Sequence, residues 1–223
     1  MTLSCIQQPH QHLDANLEHG VLTLAINRPK AKNALYGELY LWIAQALDEA
    51  DQHKDVRVVI LRGADADFSA GNDMQDFMKF IQTPLAGKAG DAPPFVVLKS
   101  AAKFSKPLIA AVRGVAIGIG VTLLLHADLV YSDHTALFQI PFVSLGLSPE
   151  GASSKLLIQQ AGYHKAAELL FTAQKFNSEK ALSAGLVNSI EEDVYAHAFK
   201  QAQTLAALPL ASIKQTKALM KHN

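Results

Sequence analysis

Cysteine is almost missing from this sequence: Cys5 stands alone among 223 residues, which excludes an internal disulfide framework and fits a reducing compartment. An excess of either charge is missing too, with 20 Lys plus Arg against 20 Asp plus Glu. No net field draws the chain to nucleic acid or to an anionic membrane surface, so an anionic ligand must be held locally. The longest apolar run, 107–125, approaches membrane-spanning length but carries Arg113 and is broken by Gly114, Gly118 and Gly120. It reads as a buried strand followed by a helix. No basic segment with an apolar core opens the chain, and Lys221-His222-Asn223 matches neither the peroxisomal nor the endoplasmic-reticulum address. The expectation is a cytoplasmic protein with no nucleic-acid and no membrane partner.

Several chemical signatures are missing as well. Gly114, Gly118 and Gly120 do not have the spacing of a dinucleotide fingerprint, and no Gly-Lys-Ser/Thr of a phosphate loop follows. Ser69 has Asp67, not glycine, two positions before it, so it is not a nucleophile elbow. The nine histidines are scattered without an H-E-x-x-H, and no metal site is expected.

What is present is enough apolar residue, 49 %, to bury a substantial core in one large domain or two small ones. Short apolar runs at 13–17 and 21–26 flank Glu18-His19-Gly20 and predict a β-hairpin. Leu39, Trp42, Ile43, Ala46, Leu47 and Ala50 recur at helical spacing and predict an amphipathic helix over 36–53. Buried strands follow at 56–61 and 107–112, with a helix from about Asp73, a loop over 83–94 and a helix over 95–104 between them. A helix over 118–125 leads to strands at 129–132 and 136–140. From Gly151 the pattern is helical, with Ser178 and Glu179 opening one helix and Gly185 closing it, a short strand at 187–190, and final helices over 194–207 and 210–221. Strand, strand, helix recurs without the single-strand alternation of a doubly wound sheet, which favours an α/β spiral over a Rossmann domain.

Two turns have the same layout, in which a buried strand feeds small residues and then a helix start, exposing unpaired backbone N–H groups. Ala70, Gly71 and Asn72 form the first; Gly118, Ile119 and Gly120 form the second. Two such turns from neighbouring layers would aim two donors at one oxygen. That is an oxyanion hole, worth roughly 3 kcal/mol per donor as charge develops. Either turn alone is better explained as tight strand-to-helix packing, since glycine is common in such turns. Ser148-Pro149-Glu150-Gly151 places a carboxylate where a helix is expected to start, and by itself that charge needs no role beyond complementing the helix dipole.

The combination of Asn27-Arg28-Pro29 through Asn33-Ala34-Leu35, Phe68-Ser69-Ala70-Gly71-Asn72-Asp73-Met74 and the run from Pro107 to Gly118 resembles the enoyl-CoA hydratase/isomerase (crotonase) superfamily, in order and spacing, from about residue 21 to 190. The resemblance implies an α/β crotonase-like spiral of ββα units over 1–190, the ClpP/crotonase fold, with a helical C-terminal region over 191–223. It implies a coenzyme A thioester as substrate, no separate cofactor, and a homotrimer or hexamer. By motif position the backbone N–H groups of Asn72 and Ile119 are the oxyanion donors. Lys30, Ala31, Ala70, Gly71, Asp73, Met74, Gly118 and Phe142 are expected along the CoA and acyl site.

The positions that carry the two glutamates of the hydratases hold Thr122 and Phe142 here, which are expected to make the pocket more apolar. That leaves Glu150 as the base, most like the peroxisomal-type Δ3,Δ2-enoyl-CoA isomerases. A hydratase, another acyl-CoA enzyme of the superfamily and a non-catalytic acyl-CoA-binding relative are the alternatives. Members of the superfamily usually continue for a further helical segment, so the pocket is expected either to be closed by a partner subunit or to need a segment beyond Asn223. Arg113, where relatives often carry asparagine, has no functional explanation from the sequence.

Overall fold

A computed structural model of the chain describes residues 3–82 and 89–221. After a one-turn helix α1 (Ser4–Gln7), strands β1 (Leu13–Glu18) and β2 (Val21–Ile26) form the expected hairpin. His19 and Gly20 both take positive φ, 51° and 78°, in its two-residue turn. Then come α2 (Gly37–Gln52), β3 (Val58–Gly63), α3 (Met74–Gln82), α4 (Pro93–Lys103) and β4 (Leu108–Val112). They are followed by β5 (Val115–Ile117), α5 (Ile119–Thr122), β6 (Leu129–Ser132), β7 (Leu137–Gln139), α6 (Ser153–Ala161), α7 (Tyr163–Thr172) and β8 (Phe176–Asn177). The chain continues through α8 (Ser178–Ser183), β9 (Ser189–Ile190), α9 (Val194–Ala207) and α10 (Leu210–Lys221).

The main sheet has the order β1-β2-β3-β4-β6-β9, antiparallel at β1–β2 and parallel thereafter. Both faces are covered, which is why β3 and β4 read as continuous apolar runs. Val58 and Ile60 point to α9, whose Ala198, Ala202 and Ala206 form a smooth stripe packed against the strands. Val59 and Leu61 point to the opposite core, shared with Leu39, Ile43 and Leu47 of α2. Arg113, unexplained by the sequence, clamps α9 to the sheet: its Nε donates to Asp133 Oδ2 at 3.0 Å and its guanidinium lies 4.5 Å from the centre of the Tyr195 ring.

A second, small sheet, β5-β7-β8, determines where the chemistry sits. The isolated parallel bridges Ser69↔Ala116 and Leu35↔Asn72 add two earlier turns of the chain to the same stack. Each turn of the spiral thus contributes one long strand to the main sheet and one short extended segment to the stack, giving the α/β crotonase-like spiral.

Besides shifts of two residues at strand ends, with β3 at Val58–Gly63 for the expected 56–61 and β9 at Ser189–Ile190 for the expected 187–190, four features differ from expectation. The segment 118–125 is not one helix: α5 is a single turn, followed by a 3-10 turn at Leu124–His126, and β5 precedes both. The expected loop 83–94 is shortened from its end by a 3-10 turn at Ala89–Asp91 and by α4 starting at Pro93, while 83–88 lie outside the described residues. Strand β8 was not legible at two residues. Glu150 is not in a first helical turn, because α6 starts at Ser153. Among the described residues no helix is long and apolar enough to cross a membrane.

Candidate active site

The stack of short segments presses the two small-residue turns together. Leu35 N–H donates to Gly71 O and Asp73 N–H donates to Leu35 O, both at 2.7 Å. These bonds pin the peptides on either side of Asn72 and turn its own N–H away from Leu35. In the other turn Gly118 N–H donates to Gln139 O at 2.9 Å, and Val121 and Thr122 N–H return to Gly118 O, which skips Ile119. Among the described residues neither the Asn72 N–H nor the Ile119 N–H has a hydrogen-bond partner. Gly71 explains the approach of the turns. At φ +87°, a methyl group on it would lie 2.5 Å from the Ile117 carbonyl oxygen and 3.8 Å from Ile119 N.

Asn33, at φ 56° and buried, ties this region together. Its Oδ1 accepts from Arg28 N–H at 2.7 Å, its Nδ2 donates to Asp67 O at 2.6 Å, and its carbonyl accepts from Ser69 Oγ at 2.9 Å. Arg28 also donates to Asp73 Oδ2 at 2.8 Å. The Arg28 hydrogen bond, partly opposed by burial, holds the Asp73 carboxyl below its ordinary range, and Asp73 Oδ1 meanwhile caps α3.

Asn72 and Ile119 open into a cavity of about 350 Å³, and Glu150 reaches the same cavity from the loop before α6. Gly151 and Ala152 at φ 64° and 58° bend that loop so that the carboxylate points inward. Ser153 Oγ and N–H hold the Glu150 carbonyl at 2.6 and 3.0 Å, and the ring Nε2 of His126 lies 3.0 Å from the Gly151 carbonyl. Thr122 Oγ1 donates to Glu150 Oε1 at 2.5 Å, while Oε2 is buried and has no hydrogen-bond partner among the described residues. Burial raises the Glu150 pKa and the Thr122 hydrogen bond opposes it; the net shift is upward.

The remaining wall carries Tyr40 from α2, Asp73, Asp76, Phe77 and Lys79 from α3 and the residue before it, and Pro93 and Phe95 from α4. Of the residues expected from sequence, Asn72, Asp73, Ile119 and Glu150 line this wall; Gly71 and Gly118 shape the turns behind it. Lys30 and Ala31 lie in a 3-10 turn after β2, next to Ala70, whose N–H donates to Lys32 O at 2.8 Å. Met74 is exposed, Phe142 belongs to the buried core, and neither reaches the cavity wall. Thr122 is not an apolar liner but the hydrogen-bond donor to Glu150, and that bond lowers the basicity of the carboxylate that burial raises.

Tyr40 was missed. It is buried, and its hydroxyl donates to Asn72 Oδ1 at 2.6 Å. Burial first, and then the negative charge of Glu150, keep that hydroxyl protonated well above its usual range. The signal was present, since positions 40, 43 and 47 share one face of the helix. Asp76 accepts from Gly37 N–H at 2.8 Å at the start of the same helix. Among the described residues no group of three or more His, Cys, Asp or Glu side chains is placed to hold a metal ion.

A family model described as enoyl-CoA hydratase/isomerase matches residues 16–223. The chain is 35 % identical over 214 residues to enoyl-CoA delta isomerase 2 of Rattus norvegicus, covering 92 % of this chain and 53 % of that protein. It is 32 % identical over 170 residues to 2,3-dehydroadipyl-CoA hydratase of Escherichia coli (strain K12), covering 76 % and 65 %. A crystal structure assigned to the enoyl-CoA hydratase/isomerase group, from Acinetobacter baumannii, matches with a TM-score of 0.94 at 78 % identity, over 96 % of this chain and 86 % of that one. The chain spans about half the length of the delta isomerase 2 relatives, 53 % and 52 %.

Proposed function

We propose that this chain, which belongs to the enoyl-CoA hydratase/isomerase family, is a Δ3,Δ2-enoyl-CoA isomerase with Glu150 as its single base. The observation that carries the proposal is the placement of Glu150, whose Oε2 is buried with no hydrogen-bond partner among the described residues, on the wall of the same cavity as two peptide N–H groups that are likewise unpartnered among those residues. Shifting a double bond from C3 to C2 of an acyl thioester needs a base at C2, charge stabilisation at the thioester oxygen, and an acid at C4. Glu150 Oε2 takes the C2 proton, and the electrons of that C–H bond move into a dienolate whose oxygen is held by Asn72 and Ile119 N–H. The same Oε2–H then protonates C4.

One carboxylate completes this cycle, and the other two at the cavity are engaged elsewhere: Asp73 by Arg28, Asp76 by Gly37 N–H. Burial favours the protonated form of Glu150 that the second half of the cycle needs. The pantetheine and adenine of CoA would run along Ala70, Gly71 and Met74 towards Lys30 and Ala31, with no further cofactor. Exposed apolar side chains on α7, Tyr163 and Phe171, support a homotrimer or hexamer.

Hydration is the second reading, favoured by the hydratase names among the relatives. Incubation with 3-hexenoyl-CoA followed by spectroscopic detection of the 2-enoyl thioester tests the isomerase. Conversion by the wild-type chain and none by Glu150→Gln, with CoA-ester binding retained, is the expected result. A 3-hydroxy product from 2-enoyl-CoA without 3-enoyl conversion would favour the hydratase.

A further inference from the structure

Glu150 has two oxygens in different circumstances: Oε1 is hydrogen-bonded to Thr122 Oγ1, and Oε2 has no hydrogen-bond partner among the described residues. Thr122 is fully buried, does not line the cavity, and ends the one-turn helix that Ile119 begins. Its hydroxyl therefore lies one helical turn from the Ile119 peptide, and Oγ1 is 3.5 Å from the Ile119 carbonyl. That single rigid turn connects the oxyanion side of the site to the carboxylate. A carboxylate without the bond could rotate about its last torsion and present either oxygen, because terminal torsions of this kind are broad.

The geometry points to Thr122 as a positioning residue: its hydroxyl locks Oε1, makes Oε2 the only proton-carrying atom, and ties the carboxylate to the one-turn helix that Ile119 begins. The inference rests on the isomerase reading and deepens it. In the one-base cycle the same oxygen must remove the C2 proton and deliver it to C4, so a base that swings between two positions loses both transfers. Thr122 accepts no proton in either step. It donates to Oε1 whether Oε2 is bare or protonated, so the lock holds throughout the cycle.

The test compares Thr122→Val, which keeps the shape and removes the hydroxyl, with Thr122→Ser, which keeps the hydroxyl. Thr122→Val is expected to lower kcat on 3-hexenoyl-CoA by about 10- to 100-fold, the scale of a small misplacement of a catalytic group, with KM within about two-fold. Losing a hydrogen bond to the ionised form moves the acid limb of the kcat profile to higher pH. Thr122→Ser is expected to restore most of the rate. The other titratable side chains facing the cavity, Tyr40 from α2, Asp73, and Asp76 and Lys79 from α3, together with His126 behind the Glu150 loop, are unchanged in both variants.

An isotope-edited infrared titration gives a readout independent of turnover, the Glu150 carboxyl band being assigned by its loss in Glu150→Gln. Its midpoint is expected to rise in Thr122→Val and return in Thr122→Ser. An unchanged kcat and midpoint in Thr122→Val would overturn the assignment. So would a Thr122→Ser variant no better than valine, since side-chain volume and not the hydroxyl would then be at work. A wild-type chain inert towards 3-enoyl-CoA sinks the isomerase reading and leaves the infrared midpoint to decide whether Thr122 binds the carboxylate.

Discussion

The Tyr40 hydroxyl donates to the Asn72 side-chain oxygen at 2.6 Å, so the Asn72 amide is bound behind the site while its peptide N–H remains free at the cavity. Side chain and backbone of one residue thus have separate tasks. The side chain holds the turn to α2, and the backbone is the proposed oxyanion donor.

It follows that Asn72→Ala removes the anchor but not the donor. The variant is expected to keep kcat within about 10-fold of wild type while losing about 1–3 kcal/mol of stability from the orphaned Tyr40 hydroxyl. Steady-state rates and urea unfolding of the same preparation check both halves. A kcat as low as that of Glu150→Gln, with stability unchanged, would make the amide side chain the catalytic group.

A second prediction concerns the energetic cost of the base. Burial raises the folded pKa of Glu150 above its unfolded value, with the Thr122 hydrogen bond opposing. A raised carboxyl binds more protons folded than unfolded, so the stability linked to it is complete below the unfolded pKa, about 4.3, and is lost as pH rises through the folded pKa. Glu150→Gln has no charge to bury. Unfolding of the two proteins across acid to neutral pH is expected to show wild type losing ground steadily against the variant over that window. Activity runs the other way, since only the ionised carboxylate abstracts a proton, and kcat/KM of wild type is expected to rise over the same interval. A stability difference that does not vary with pH would show that the Glu150 charge is not what the fold disfavours.

Elements whose pattern is complete within their own residues were legible in the sequence. The β1–β2 hairpin, with its two-residue turn, and helices α9 and α10, with long amphipathic repeats, have their expected extents or nearly so. The segment after β4 was not legible, because β5 is held by long-range pairing, with β7 some twenty residues on and with Ser69 some forty-seven residues back, and three apolar residues look the same as strand or helix. Glu150 shows the same limit. Its inward aim depends on positive φ at Gly151 and at Ala152, and alanine carries no sign of a left-handed conformation. The hydrogen bond from Thr122 likewise joins residues brought together only by α5 packing beneath that bend.

The last prediction tests the contact between the two turns. Gly71 has φ +87°, and any Cβ there would sit 2.5 Å from the carbonyl oxygen of Ile117, a backbone atom that cannot rotate aside. Gly71→Ala must therefore strain its own backbone, at a cost of about 1–3 kcal/mol, and also push the Asn72 turn away from the Ile119 turn. Two donors set to converge on one oxygen lose their common target when the turns separate, whereas the carboxylate of Glu150, on a different loop, stays where it is. The variant is expected to melt lower than wild type and to lose kcat by about 10²- to 10³-fold, the scale of removing one oxyanion donor. The Glu150 carboxyl band should titrate as in wild type. A Gly71→Ala protein that melts lower but turns over normally would show that the two peptide N–H groups do not act together on the thioester oxygen.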